Sequence, residues 1–260
     1  MNQADFIHPG ESLENVGKDM IIYGPAGVGK TSLIKTLLGW THEGGWDSQE
    51  PLYKPEEVLV LSADAGASVL YKEKKLVVTM YNISEGGLDK FKELVQWLMT
   101  GDHPFKLIAI DNVSELEKYF VFNLAVVRGK DLPQQKEWGD ASVKLRKYMR
   151  DLRKLVFRKI DVLFMFWDMV MPLKDAKGEE TSVICPMCMR KTWKEYVGIV
   201  EHYAYMGTAS IKTSTFLPGD RFLQFDTYGM VQAKTRSEKL GGGMPGKFEA
   251  ANLGEVFKKI

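Results

Sequence analysis

The sequence predicts an α/β fold: a mainly parallel sheet flanked by helices, with a more β-rich C-terminal part. Three observations predict it. Four apolar runs, MIIY (Met20 to Tyr23), EVLVLS (Glu57 to Ser62), LIAID (Leu107 to Asp111) and DVLFMFWD (Asp161 to Asp168), show little polar alternation. They read as strands buried on both faces. Segments with apolar residues at helical spacing separate them, and strands alternating with helices favour a parallel sheet. The first run also enters a Gly-rich turn that opens a helix, GPAGVGKT.

Residues 1–19 are a polar lead-in. After Met20 to Tyr23, Lys30 to Leu38 reads as a helix, with Leu33, Ile34, Leu37 and Leu38 on one face. A loop rich in Gly, Trp and Pro follows to Pro55. LVVTMYN predicts a further strand, and Leu88 to Met99 an amphipathic helix. Ser114 to Val127 predicts another helix. Gln134 to Arg158 reads as a long helix, broken or started near Gly139. Residues 169–195 read as a polar excursion containing Gly and Pro, an expected loop. EHYAYMGT, RFLQFDT and MVQAKTR predict strands, the last two meeting at a turn near Tyr228-Gly229. GGGMPG (Gly241 to Gly246) predicts a flexible stretch before a short C-terminal helix. The expectation is one domain over 1–260, with its core at 20–168 and the β-rich part at 196–240.

With 45% hydrophobic and 27% charged residues, the chain has the balance of a folded globular protein rather than a disordered one. A formal net charge of +1 supplies no bulk field, so a nucleic-acid partner must meet a local basic patch. No apolar run reaches membrane-span length, and the N-terminus lacks the basic-then-apolar layout of a secretion signal. A cytoplasmic location without membrane partner is expected. The two cysteines, Cys185 and Cys188, form one CPMC step, too few for a disulfide framework. A zinc site needs four ligands, and only His202 lies nearby.

GPAGVGKT satisfies G-x-x-x-x-G-K-[ST] with Gly24, Gly29, Lys30 and Thr31. Its glycines allow backbone conformations that aim N–H groups at an anion. The helix that starts near Lys30 directs its positive end at the same place. Gly24, Pro25, Ala26, Gly27, Val28, Gly29, Lys30, Thr31 and Ser32 are therefore the expected nucleotide-binding residues. Lys30 is expected on the β- and γ-phosphates of ATP, and Thr31 on Mg2+. Asp111, ending an apolar strand, is the expected second Mg2+ residue. Asn112 follows it, so this strand brings no second carboxylate.

These residues resemble the RecA-like branch of P-loop NTPases, and more closely the phage-encoded RecA-like ATPases of recombination and single-strand annealing. The resemblance spans roughly residues 18–260 and rests on IIYGPAGVGKTSL, VLVLSADAG, LIAIDNVSELEK, EWGDASVKLRKYMRDL, VLFMFWD and AKTR. It implies an ATPase with a RecA-like core, placed in an infected cell's cytoplasm if phage-encoded. It implies a water-positioning carboxylate at Asp64, where relatives usually carry Glu. It implies a sensor strand, DVLFMFWD, between the other two, with Asp168 near the γ-phosphate. Lys234 and Arg236 would act as fingers into a neighbour's site, which requires a homo-oligomeric ring or filament. A single-strand-binding protein is a further implied partner.

Two regions are candidates for single-stranded DNA. Lys147, Arg150, Lys154 and Arg158 fall on one helical face at i, i+3, i+7 and i+11, a stripe that could follow a phosphate backbone. The excursion after the sensor strand offers Lys174, Lys177, Arg190, Lys191 and the aromatic Trp193, a combination suited to phosphates and bases. Other readings remain open at this level: a helicase loader or packaging ATPase, or a small-molecule kinase with 171–192 as its lid. A GTP-dependent switch is disfavoured by the lack of an N-K-x-D or T-K-x-D segment.

Overall fold

In the computed structural model, the described residues are 16–41, 43–45, 48–63, 70, 79–82, 87–174, 178–189, 192–212, 215–240 and 248–260. They form a mixed α/β fold around one sheet. The strands are β1 (Asp19–Gly24), β2 (Val58–Ser62), β3 (Thr79–Asn82), β4 (Leu107–Asp111), β5 (Asp161–Lys174), β6 (Glu180–Pro186), β7 (His202–Thr208), β8 (Arg221–Gln224) and β9 (Phe248–Ala250). The helices are α1 (Lys30–Leu37), α2 (Gly87–Thr100), α3 (Val113–Val127), α4 (Gln135–Arg153), α5 (Trp193–Ile199) and α6 (Leu253–Phe257).

The sheet order is β3-β2-β4-β5-β1-β7-β8-β9, with β6 paired to β5 alone. From β3 to β7 every pairing along this path is parallel; β8 and β9 add antiparallel neighbours at one edge. β1, β2 and β4 are buried at every position, as their uninterrupted apolar runs require. Alternate residues feed two cores. Ile21, Ile108, Phe164 and Phe166 pack with α2, α3, α4 and α5. Met20, Ile22, Leu163 and Met165 pack with α1 and α6. DVLFMFWD lies between the P-loop strand β1 and β4, as expected.

Local chemistry sets the helix ends. The Asn112 side chain accepts from Glu115 N at 2.8 Å and starts α3. Gln134 and Glu137 form a reciprocal capping box that starts α4. That start makes a break at Gly139 unnecessary: α4 runs through Gly139, and Ala141, Leu145, Met149 and Leu152 line its buried stripe. The helix expected to reach Arg158 stops at Arg153. A 3-10 segment, Lys154–Arg158, follows and ends at Lys159 with φ 62°.

Residues 169–195 are not one loop. β5 outruns the parallel sheet and forms an antiparallel hairpin with β6. Met169, Met171 and Leu173 pack towards the core while Val170, Pro172 and Lys174 stay exposed, a period-two pattern. Pro172 disguised that pattern; here it sits in a two-stranded extension opposite Ser182. MVQAKTR likewise forms isolated bridges rather than a strand, with Val231 meeting Ile184 and Tyr228, and Lys234 meeting Tyr203. The Gly-rich stretch at 241–246 lies outside the described residues, and β9 precedes the expected C-terminal helix. Among the described residues no helix is long and apolar enough to cross a membrane.

Candidate functional site

The site lies at the C-terminal edge of β1 and β4, where parallel strands hand the chain to helix N-termini. β1 ends at Gly24, and the chain turns through Pro25 to Gly29 into α1. Gly29 has φ 104°, left-handed backbone that favours glycine. Gly24 meets a different limit: a Cβ there would lie 2.2 Å from the Met206 carbonyl oxygen of β7. Lys30 is buried, and its Nζ donates to the carbonyls of Gly24 at 2.7 Å and Pro25 at 2.8 Å. The ammonium thus stands at the mouth of the turn, beside the N-terminus of α1.

Thr31 Oγ1 donates to Asp111 Oδ2 at 2.5 Å. Asp111 is 3% exposed and ends β4 in register with Ser62 of β2. A buried carboxylate and a hydroxyl that already touch are hard oxygen donors of the kind Mg2+ takes. The residues present therefore fit a magnesium–triphosphate group: two oxygen donors for the ion, with a lysine and a helix N-terminus for the phosphates.

Asp168 lies one residue beyond Trp167, the register partner of Gly24. It is half-buried; burial pushes its carboxyl above the usual range, and the Lys30 charge partly opposes this. Trp167 itself packs under the Lys118 ammonium, 4.6 Å from its ring centre. The β5–β6 hairpin rises from this point. Ser114 at the start of α3 ties the region together: its hydroxyl donates to Met187 O at 2.7 Å and accepts from Trp167 N at 3.1 Å. Asp64 lies outside the described residues, as do Lys177, Arg190 and Lys191.

The other sequence-chosen residues sit apart from this centre. Lys234 Nζ donates to the carbonyls of Val197 at 3.3 Å and Val200 at 3.0 Å, at the end of α5. Burial and then the Arg236 charge lower its pKa. Arg236 contacts Glu201 at 3.4 Å and leaves 68% of its side chain exposed. Both cations reach the α5–β7 junction.

The basic stripe does not lie on one helix, because α4 ends before Lys154 and Arg158. Lys147 and Lys154 both bind Asp151, at 2.5 and 2.9 Å. Arg158 donates to the carbonyls of Leu98 and Gly101, closing the end of α2. Arg150 and Lys174 are exposed. Trp193 is buried at the start of α5, so its ring belongs to the core rather than to a surface for bases. Cys185 is buried in β6, and burial, then Asp168, pushes its thiol up to about 12. Cys188 is raised too, chiefly by burial, and accepts from Thr192 Oγ1 at 3.5 Å.

The sequence reading missed Arg221. Its guanidinium lies against the phosphate turn, with Cζ and Nη1 3.0 Å from where a Cβ on Gly29 would stand. No motif marks it; only the order β1-β7-β8 brings it there.

Residues 17–237 of the 260 match a family described as AAA domain. No curated protein matches the chain. With a P-loop between β1 and α1, an acidic strand end at β4 and a match over most of its length, the chain belongs to the AAA domain family of P-loop ATPases.

Proposed function

We propose that the chain binds ATP with Mg2+ at the P-loop, hydrolyses it, and acts as a RecA-like ATPase on single-stranded DNA in phage recombination or annealing. The contact between Thr31 and Asp111 beside Lys30 is the observation that carries the ATP reading. Thr31 and Asp111 would hold Mg2+, which supplies charge neutralisation on the phosphate oxygens when bound. Lys30 and the N-terminal amides of α1 would hold the phosphates themselves. Asp168, its ionisation disfavoured by burial, adds less negative charge beside them than an exposed aspartate would. Asp64 is proposed to orient the attacking water.

The chain is proposed to work as a homo-oligomer in which Arg236, with Lys234, completes a neighbour's site. The exposure of Arg236 supports this. For DNA, exposed Lys147 and Arg150 on α4, Lys154 just beyond it, and Lys174 on the hairpin supply local positive charge in a nearly neutral chain. A single-strand-binding protein is proposed as an accessory partner.

Two measurements test the reading. Binding to labelled single-stranded oligonucleotide is measured with and without Mg-ATP over a salt series; binding should strengthen with ATP and weaken with salt, and no binding at low salt removes the DNA role. ATP turnover is measured for Lys30→Ala and Arg236→Ala proteins, alone and mixed. Partial recovery on mixing supports shared sites, and none points to a self-contained enzyme.

A further inference from the structure

A cavity of about 560 Å³ opens beside the P-loop. It touches Gly29 and Ser32 at the start of α1, Met206 of β7 and Arg221 of β8. The sheet order places β7 and β8 on one side of β1, and β5 and β4 with Asp111 on the other. The cavity is therefore on the side of the loop away from Asp111.

Its outer wall comes from the C-terminal segment, Ala250 to Asn252. That segment lies beyond residues 17–237, the part matched by the AAA domain family. It is fastened by hydrogen bonds to β8, α1 and Gln49. Ala251 N donates to Arg221 O at 3.2 Å, continuing the β8–β9 pairing. Leu253 N donates to Thr36 Oγ1 at 2.9 Å, and Asn252 Nδ2 to Gln49 Oε1 at 2.8 Å. The wall is thus bonded to α1, the same helix whose N-terminus faces the phosphates.

We infer that the ribose and base of the bound nucleotide occupy this cavity, with Ala250 to Asn252 as its outer wall, so that nucleotide binding and docking of the C-terminal segment stabilise each other. The inference rests on the ATP reading above. The terminal phosphates directed at Thr31 and Asp111 leave the nucleoside end of the molecule pointing towards β7 and β8. The planar Arg221 guanidinium and the Phe216 ring suit a flat heterocycle. The volume falls in the range of small-molecule sites. Because Ala250 to Asn252 line the cavity itself, a ligand whose nucleoside end touches them favours the docked wall and is itself favoured by docking, by thermodynamic linkage.

The test uses the full chain with Mg2+ and three conditions: no ligand, inorganic tripolyphosphate, and ATP. Backbone hydrogen exchange at residues 250–257 is expected to slow at least about tenfold with ATP and to stay unchanged with tripolyphosphate. Ala250 is exposed, so Ala250→Trp fills the cavity from β9 without entering the core. It should weaken ATP at least about tenfold and tripolyphosphate less than about twofold. Arg221→Ala, as a second variant, should also weaken ATP at least about tenfold. Unchanged ATP affinity in both variants, equal loss of both ligands in Ala250→Trp, or equal protection by both ligands overturns the inference. Failure of the unsubstituted chain to bind either ligand removes the ATP reading itself. Normal ATP binding with no protection at 250–257 removes only the inference.

Discussion

Thr31 Oγ1 donates to Asp111 Oδ2 at 2.5 Å, although the two residues stand 80 positions apart in the chain. The contact spans the first turn of α1 and the end of β4, and β5 and β1 hold those two ends side by side. If this pair holds Mg2+, neither oxygen is dispensable. Asp111→Asn and Thr31→Ala should each lower Mg-ATP turnover on the order of a hundredfold. Thr31→Ser keeps the hydroxyl and should retain most activity. Steady-state phosphate release measures all three, and near-normal turnover by Asp111→Asn would remove the donor pair from the reaction.

Gly24 and Gly27 separate two kinds of glycine requirement. A Cβ on Gly24 would strike the backbone of β7, 2.2 Å from Met206 O. Gly24→Ala should therefore destabilise the fold by about 1–3 kcal/mol, because strands rather than a side chain must move. Gly27 has φ 76° and open space around the added atom, so Gly27→Ala should cost about 1–2 kcal/mol from backbone conformation alone. Urea unfolding midpoints compare the two. A larger loss at Gly27 contradicts the steric argument.

His202 lends the fold a pH dependence. It is 6% exposed, and its Nδ1 lies 2.8 Å from Thr235 Oγ1. Burial lowers its pKa to about 4 despite the opposing charge of Asp19, with Lys234, Arg236 and Lys18 lowering it further. The unfolded chain takes up this proton near the ordinary value of 6.5 and the folded chain only near 4. The contribution is thus complete above 6.5 and lost as pH falls towards 4. The loss is on the order of 3 kcal/mol. His202→Gln should flatten that part of the stability–pH curve; an unchanged slope between these limits refutes the assignment.

Glu137 acts at lower pH. Its enclosed carboxylate takes Lys130 Nζ and Arg128 Nη1, each at 2.8 Å, and caps α4 through Gln134 N. Lys130 first, then Arg128, hold its pKa down to about 2, against an ordinary 4.5. Its stabilising contribution is complete above 4.5 and disappears as pH falls towards 2. Glu137→Gln should lower the melting temperature at pH 7 and lose that advantage progressively in acid. Equal melting temperatures of the two proteins at pH 7 would rule this out.

The elements legible in the sequence share a physical property: their signals are local. A strand covered on both faces must be apolar throughout, so β1, β2, β4 and the first half of β5 could be read directly. The P-loop was equally legible because its glycines, lysine and threonine all lie within one short stretch, Gly24 to Thr31. Asp111 was legible as the end of an apolar run. The β5–β6 hairpin was not, since Pro172 and scattered polar residues masked its alternation. The end of α4 was also hidden: Lys154 to Arg158 keeps a helical composition, yet Arg158 is drawn to the carbonyls that end α2.

By itself, then, the sequence determined the parallel α/β core, the phosphate turn and the acidic strand end, because each depends on neighbours within a few residues. Tertiary structure alone decided that Arg221 stands against Gly29, that Lys234 closes the end of α5, and that the C-terminal segment walls a cavity beside α1. Those placements follow from which strands lie side by side, and strand order is set by the packing of distant segments, which leaves no periodic mark in the chain.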